Sequence, residues 1–127
     1  METVKQGMFF AQEGYYPVEA DECERLITHY LELLDRVTLP SGELHAGIVP
    51  HAGWVYSGAL AVSTVGALAR ATDPETIVLL GGHLGPDTSG WILTGGSWPT
   101  PLGDVRVDDE LARVIADRTE LDPVGPA

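Results

Sequence analysis

Two histidines have the residue type and the setting that chemistry would use. His51 follows the apolar stretch Ala46-Gly47-Ile48-Val49 through Pro50 and precedes Ala52-Gly53-Trp54, while His83 follows Ile77-Val78-Leu79-Leu80-Gly81-Gly82. Each stretch reads as an apolar strand delivering an imidazole at its carboxyl end, the edge where open α/β sheets place their ligands. Neutral imidazoles that converge on one point and leave a coordination position open make a metal site of the catalytic kind. His51 and His83 are therefore candidate metal ligands. A histidine beside a glycine turn also serves as a hydrogen-bonded structural residue, and spacing alone leaves both readings open. His29, inside an expected helix, and His45, at a strand entrance, suit the structural reading better.

Other chemistries find less support. Gly81-Gly82-His83-Leu84-Gly85 lacks the GxGxxG spacing of a dinucleotide loop and the Gly-Lys-Ser/Thr of a P-loop. Ser57-Gly58 lacks the Gly-x-Ser-x-Gly elbow of the hydrolases. Trp54, Trp91 and Trp98 suit either a pocket lining or a core or interface. The single cysteine, Cys23, excludes an internal disulfide framework and reads as a small buried hydrophobe.

The elements that must position these residues follow from period and punctuation. An apolar run at 8–11 leads into a turn at Gly14-Tyr15-Tyr16-Pro17. Asp21 and Glu24 stand at capping-box spacing before Leu26, Ile27, Tyr30, Leu31, Leu34 and Val37, which recur with helical period up to Pro40-Ser41-Gly42. A strand over 46–49, a loop over 51–58, a helix over 59–71 stopped by Thr72-Asp73-Pro74 and a strand over 77–80 make a βαβ unit. The second strand is continuously apolar and so expected to be central and parallel. A loop over 84–90, a strand over 91–94 and a turn at Gly95-Gly96 come next. Trp98-Pro99-Thr100-Pro101-Leu102-Gly103 is too proline-rich for a central strand and reads as an ordered loop. Val105 and Val107 alternate with polar neighbours, and Asp108 caps a last helix in which Leu111, Val114 and Ile115 share a face. Residues 121–126 carry no pattern of regular structure.

The 127 residues suit one domain, with 44% hydrophobic and 20% charged residues. No apolar run approaches the ~20 residues of a membrane span, and Met1-Glu2 opens no secretory signal, so a cytoplasmic setting is expected. Seven basic against nineteen acidic residues give a net charge of −12, which disfavours nucleic acid and anionic membranes as partners.

Gly14-Tyr15-Tyr16-Pro17, Val49-Pro50-His51-Ala52-Gly53-Trp54-Val55-Tyr56-Ser57-Gly58, Leu79-Leu80-Gly81-Gly82-His83-Leu84-Gly85 and Trp98-Pro99-Thr100-Pro101-Leu102-Gly103, in that order, resemble the Memo-like family, also called AmmeMemoRadiSam system protein B. The resemblance runs from about Gly14 to the helix after Asp108. It implies an α/β fold like that of the protocatechuate-type extradiol dioxygenases, a three-layer arrangement with a largely parallel or mixed central sheet flanked by helices. Residues 1–127 would form a single domain, the N-terminal half of that fold. It also implies His51 and His83 as two of three ligands to iron(II), or to copper, with Tyr15, Tyr16 and Trp54 in the pocket. The third ligand, usually a cysteine of the family's later half, has no counterpart after Ile115. Ala11-Gln12-Glu13 stands where many members carry a histidine, and Gly-Gly-His83 is one residue shorter than the family's Gly-Pro-Asn-His.

Three functions are consistent with this reading. The first is a dioxygenase-like enzyme that binds a small aromatic diol and oxygen at the metal. The second is a non-catalytic binding or redox-regulatory protein. The third is one piece of a split or truncated protein, whose exposed sheet edge is covered by a second copy or by a chain carrying the C-terminal half.

Overall fold

The computed structural model describes residues 6–39, 41–82, 85 and 89–125. The expected ligand His83, most of the expected loop over 84–90, Pro40 of the expected helix stop and Pro126 lie outside the described residues. The architecture is mixed α/β, and the chain clusters into two compact units, Met8–Glu75 and Thr76–Ala127 with Met1–Gly7.

The unit Met8–Glu75 is helical. The apolar run at 8–11 belongs to a short helix, α1 (Gln6–Gln12), which buries Ala11. Gly14 at φ +80° ends it in a Schellman turn: its N–H bonds the Ala11 carbonyl, and the Tyr15 N–H bonds the Phe10 carbonyl. The expected amphipathic helix is α2 (Ala20–Leu34), which buries Cys23 and Leu34. The capping box does not form. The helix starts one residue before Asp21, which falls within the first turn and opposes the positive end of the helix dipole.

α3 (Trp54–Ala71) begins five residues earlier than its pattern suggests, and Val55-Tyr56-Ser57-Gly58 is helical rather than looped. Gly58 serves packing here instead of a turn. A Cβ on it would lie 2.9 Å from the Tyr30 ring, and one on Gly66 would lie 2.7 Å from Leu31 and 3.0 Å from Leu34. The two glycines thus admit side chains of α2 against the backbone of α3. Arg70 of α3 pairs at 2.7 Å with Asp35, the residue that caps the C-terminal end of α2, and Thr72 ends α3 as expected.

The stretch 46–49 runs along α3, with Gly47 close to Thr64 and Leu68. The expected strands at 46–49 and 77–80 are not paired into a sheet among the described residues. Ile48 is 96% exposed, and Leu79 and Leu80 are 90% and 92% exposed. A strand is held by a neighbouring backbone as well as by its own pattern, and here no neighbour is paired to either stretch.

The strands that do form lie in the other unit. β1 (Trp91–Leu93) pairs in parallel with β4 (Asp122–Val124), and α4 (Asp109–Arg118) packs on both, which makes a small βαβ unit. The end of the chain is thus more regular than its sequence suggests. A two-stranded sheet tolerates Pro123, because each strand has an outer edge that needs no donor. The same reasoning corrects the expected proline-rich loop: β2 (Ser97–Thr100) and β3 (Gly103–Arg106) form an antiparallel hairpin in which Pro99 opposes Asp104. Asp108 caps α4 as expected, but the buried residue of that helix is Ala112, and Leu111 and Val114 are exposed. Among the described residues no helix is long and apolar enough to cross a membrane.

Candidate functional site

His51 sits on the connection between the extended stretch 46–49 and the start of α3, and its side chain is exposed. The backbone that follows it is held from two directions. The Trp54 N–H donates to the Tyr15 carbonyl at 2.7 Å, which docks the start of α3 on the Gly14-Tyr15-Tyr16-Pro17 turn. From the other side the Ser57 hydroxyl donates to the Ala52 carbonyl at 2.7 Å. Gly53 lies between these two bonds, and a Cβ there would stand 3.4 Å from the Tyr15 carbonyl oxygen.

Three of the expected pocket residues belong to this arrangement. The rings of Tyr16 and Trp54 lie 5.8 Å apart at an angle of 37°, and Tyr15 supplies the carbonyl that anchors Trp54. The Tyr30 hydroxyl reaches the Trp54 carbonyl at 3.5 Å, and the Cys23 thiol donates to the Pro17 carbonyl at 3.2 Å. Burial pushes the Tyr16 phenol up, with a smaller contribution from Cys23. Burial likewise pushes the Cys23 thiol up, helped by the Glu22 carboxylate. Both groups are therefore protonated at neutral pH. Sequence reasoning places Cys23 correctly as a buried residue, whereas the role of Ser57 escapes it: a hydroxyl four residues into a helix carries no signal for a bond backward to the preceding loop.

The remaining histidines are peripheral. His29 is exposed on α2 beside the Tyr30 ring, and His45 is exposed and pairs with Glu43 at 3.3 Å. Among the described residues no group of three His, Cys, Asp or Glu side chains is placed to hold a metal ion. The described residues thus present one imidazole, His51, on a pinned loop.

The family described as Memo-like protein matches residues 12–125. The chain belongs to the Memo-like family. Among similar relatives, a MEMO1 family protein of Thermococcus onnurineus is 41% identical over 93 residues, covering 68% of this chain and 32% of that protein. One of Pyrococcus furiosus is 35% identical over 108 residues, covering 84% of this chain and 36% of that protein. One of Methanopyrus kandleri is 35% identical over 108 residues, covering 80% and 38%. No solved structure matches the chain. This Memo-like chain therefore spans about a third of the length of the curated relatives it matches. Within that third lie the Tyr15-Tyr16 turn, the His51 loop and the beginning of α3, the Memo-like blocks whose geometry is described above.

Proposed function

We propose that this Memo-like chain supplies part of a non-haem metal centre, with His51 and His83 as two ligands of an iron(II) ion, copper being the alternative metal. A third ligand comes from a partner polypeptide. The observation that carries this reading is the His51 loop, an imidazole followed directly by backbone tied at Ala52 and at Trp54. Imidazole suits iron and copper, so His51 fits one position of such a centre. A single imidazole does not hold iron(II), so the centre needs His83 and the partner's ligand as well. When bound, it would supply Lewis-acid and templating chemistry. Tyr15, Tyr16 and Trp54 would line the approach of a small aromatic substrate, with the Tyr16 phenol kept neutral by its burial.

The uncovered apolar stretches 46–49 and 77–80 support a partner polypeptide that pairs with them, either a chain carrying the remainder of the family fold or a second copy. They also favour a second reading, a non-catalytic binding protein working in the cytoplasm. Metal analysis of protein purified without chelators, and after anaerobic iron(II) loading, tests the first reading. Stoichiometric iron or copper, lost in His51→Ala and in His83→Ala, is expected. No bound metal, with or without a co-expressed partner, overturns it. Oxygen consumption with catechols then separates an enzyme from a binding protein.

A further inference from the structure

α3 opens on Gly53, which has no side chain with which to cap a helix, and no side-chain cap bond forms there. Ser57, at the fourth helical position, reaches backward instead. A serine inside a helix ordinarily returns its hydroxyl to the carbonyl four residues before it, here Gly53, and that contact is the longer one at 3.4 Å. The shorter, 2.7 Å, goes one residue further back to the carbonyl of Ala52, the residue next to His51. Ser57 is only 7% exposed and is the one buried polar residue among the described residues. A buried hydroxyl without an acceptor is costly, so this bond is kept rather than traded for water. Together with the Trp54–Tyr15 bond it ties the backbone on both sides of Gly53.

We infer that Ser57 is a positioning residue for His51: its hydroxyl fixes the Ala52 carbonyl and, through the backbone of Ala52, restricts the direction in which the neighbouring imidazole leaves the chain. Ser57 has no role as a ligand. The purpose of this device rests on the proposed reading of His51 as a metal ligand, but the device itself is measurable without metal. Removing the hydroxyl leaves the Ala52 carbonyl without its donor and lets the loop sample other peptide orientations. Threonine keeps the donor, and its hydroxyl reaches carbonyls of the preceding turn in the same way.

The test uses the full chain as wild type, Ser57→Ala and Ser57→Thr, isotopically labelled for NMR. In Ser57→Ala the Trp54 and Ser57 amides should exchange about tenfold faster, the scale of one net hydrogen bond. The His51 ring signals should broaden or shift, and both effects should be reversed in Ser57→Thr. Anaerobic iron(II) titration of the same proteins should show affinity lowered about tenfold or more by the alanine, as for other residues that orient a ligand. Unchanged ring signals and exchange in Ser57→Ala overturn the inference. So does a loss of protection spread evenly over α2 and α3 that threonine does not rescue. Wild-type protein that binds no iron(II), while the alanine still disorders the ring, overturns the metal reading and leaves the positioning role standing. Iron(II) bound equally by wild type and alanine variant overturns the positioning role alone. Should Ser57→Ala fail to fold, Ser57→Cys against Ser57→Thr makes the comparison, because a thiol is the weaker donor.

Discussion

Cys23 shows how a residue with no chemistry of its own supports the His51 loop. Its thiol donates to the Pro17 carbonyl at the far end of the turn that receives Trp54, and it is 2% exposed. Burial, with Glu22, raises the thiol above its ordinary 9.0. A raised pKa favours the protonated, folded form, so this contribution is complete below pH 9 and is lost as pH rises through the folded value. Denaturant midpoints should therefore fall above pH 9, less steeply in Cys23→Ala, and a thiol reagent at neutral pH should react far more slowly with folded than with unfolded chain. Asp108 has the opposite sign. The Leu111 N–H, and then the Thr76 hydroxyl at 2.7 Å, hold its carboxyl below the ordinary 3.8. Its contribution is present above pH 3.8 and is lost as pH falls through the folded value. Helical circular dichroism followed from pH 5 to pH 2 should show an acid-labile component that Asp108→Asn removes while keeping a capping oxygen.

Among elements, the pairing of α2 with α3 is the clearest case of sequence becoming packing. The period of Leu26, Ile27, Tyr30, Leu31 and Leu34 makes α2 legible, because a 3.6-residue repeat needs no partner to be seen. The glycines of α3 are legible only as helix-weakening residues. Their purpose depends on the side chains opposite, so the early start of α3 is hidden in the sequence. Gly58→Ala tests this. Alanine favours a helix by about 1 kcal/mol, whereas a Cβ 2.9 Å from the Tyr30 ring and 3.2 Å from Trp54 overpacks at a cost of about 1–3 kcal/mol. The ring is stiff, so chemical denaturation should show net destabilisation of about 1 kcal/mol. An unchanged or higher midpoint would mean that the helices separate to accept the methyl group.

Across the whole molecule, an acidic surface with net charge −12 coexists with apolar stretches that bury little. Ile48 and Leu79 make so little contact that Ile48→Lys and Leu79→Lys should change the stability of the isolated chain by no more than about 0.5 kcal/mol. The same substitutions should lower binding of a hydrophobic dye and weaken capture of any partner strand. Co-purification that survives both would place the partner elsewhere.

Several features follow from the sequence alone: the family, read from ordered blocks around Tyr15, His51 and Trp98; the α2 helix, read from its period; and the Asp108 cap, read from its neighbours. Local interactions suffice for each. Tertiary structure alone decides that 122–124 pairs with 91–93 around α4, that Pro99 sits in a hairpin, and that 46–49 and 77–80 have no ladder partner among the described residues. A strand's existence depends on another backbone that sequence pattern does not name. The bond from Ser57 back to Ala52 belongs to the same class. It appears only when the start of α3 folds against the Tyr15 turn, since a buried hydroxyl takes whichever carbonyl the packing brings within reach.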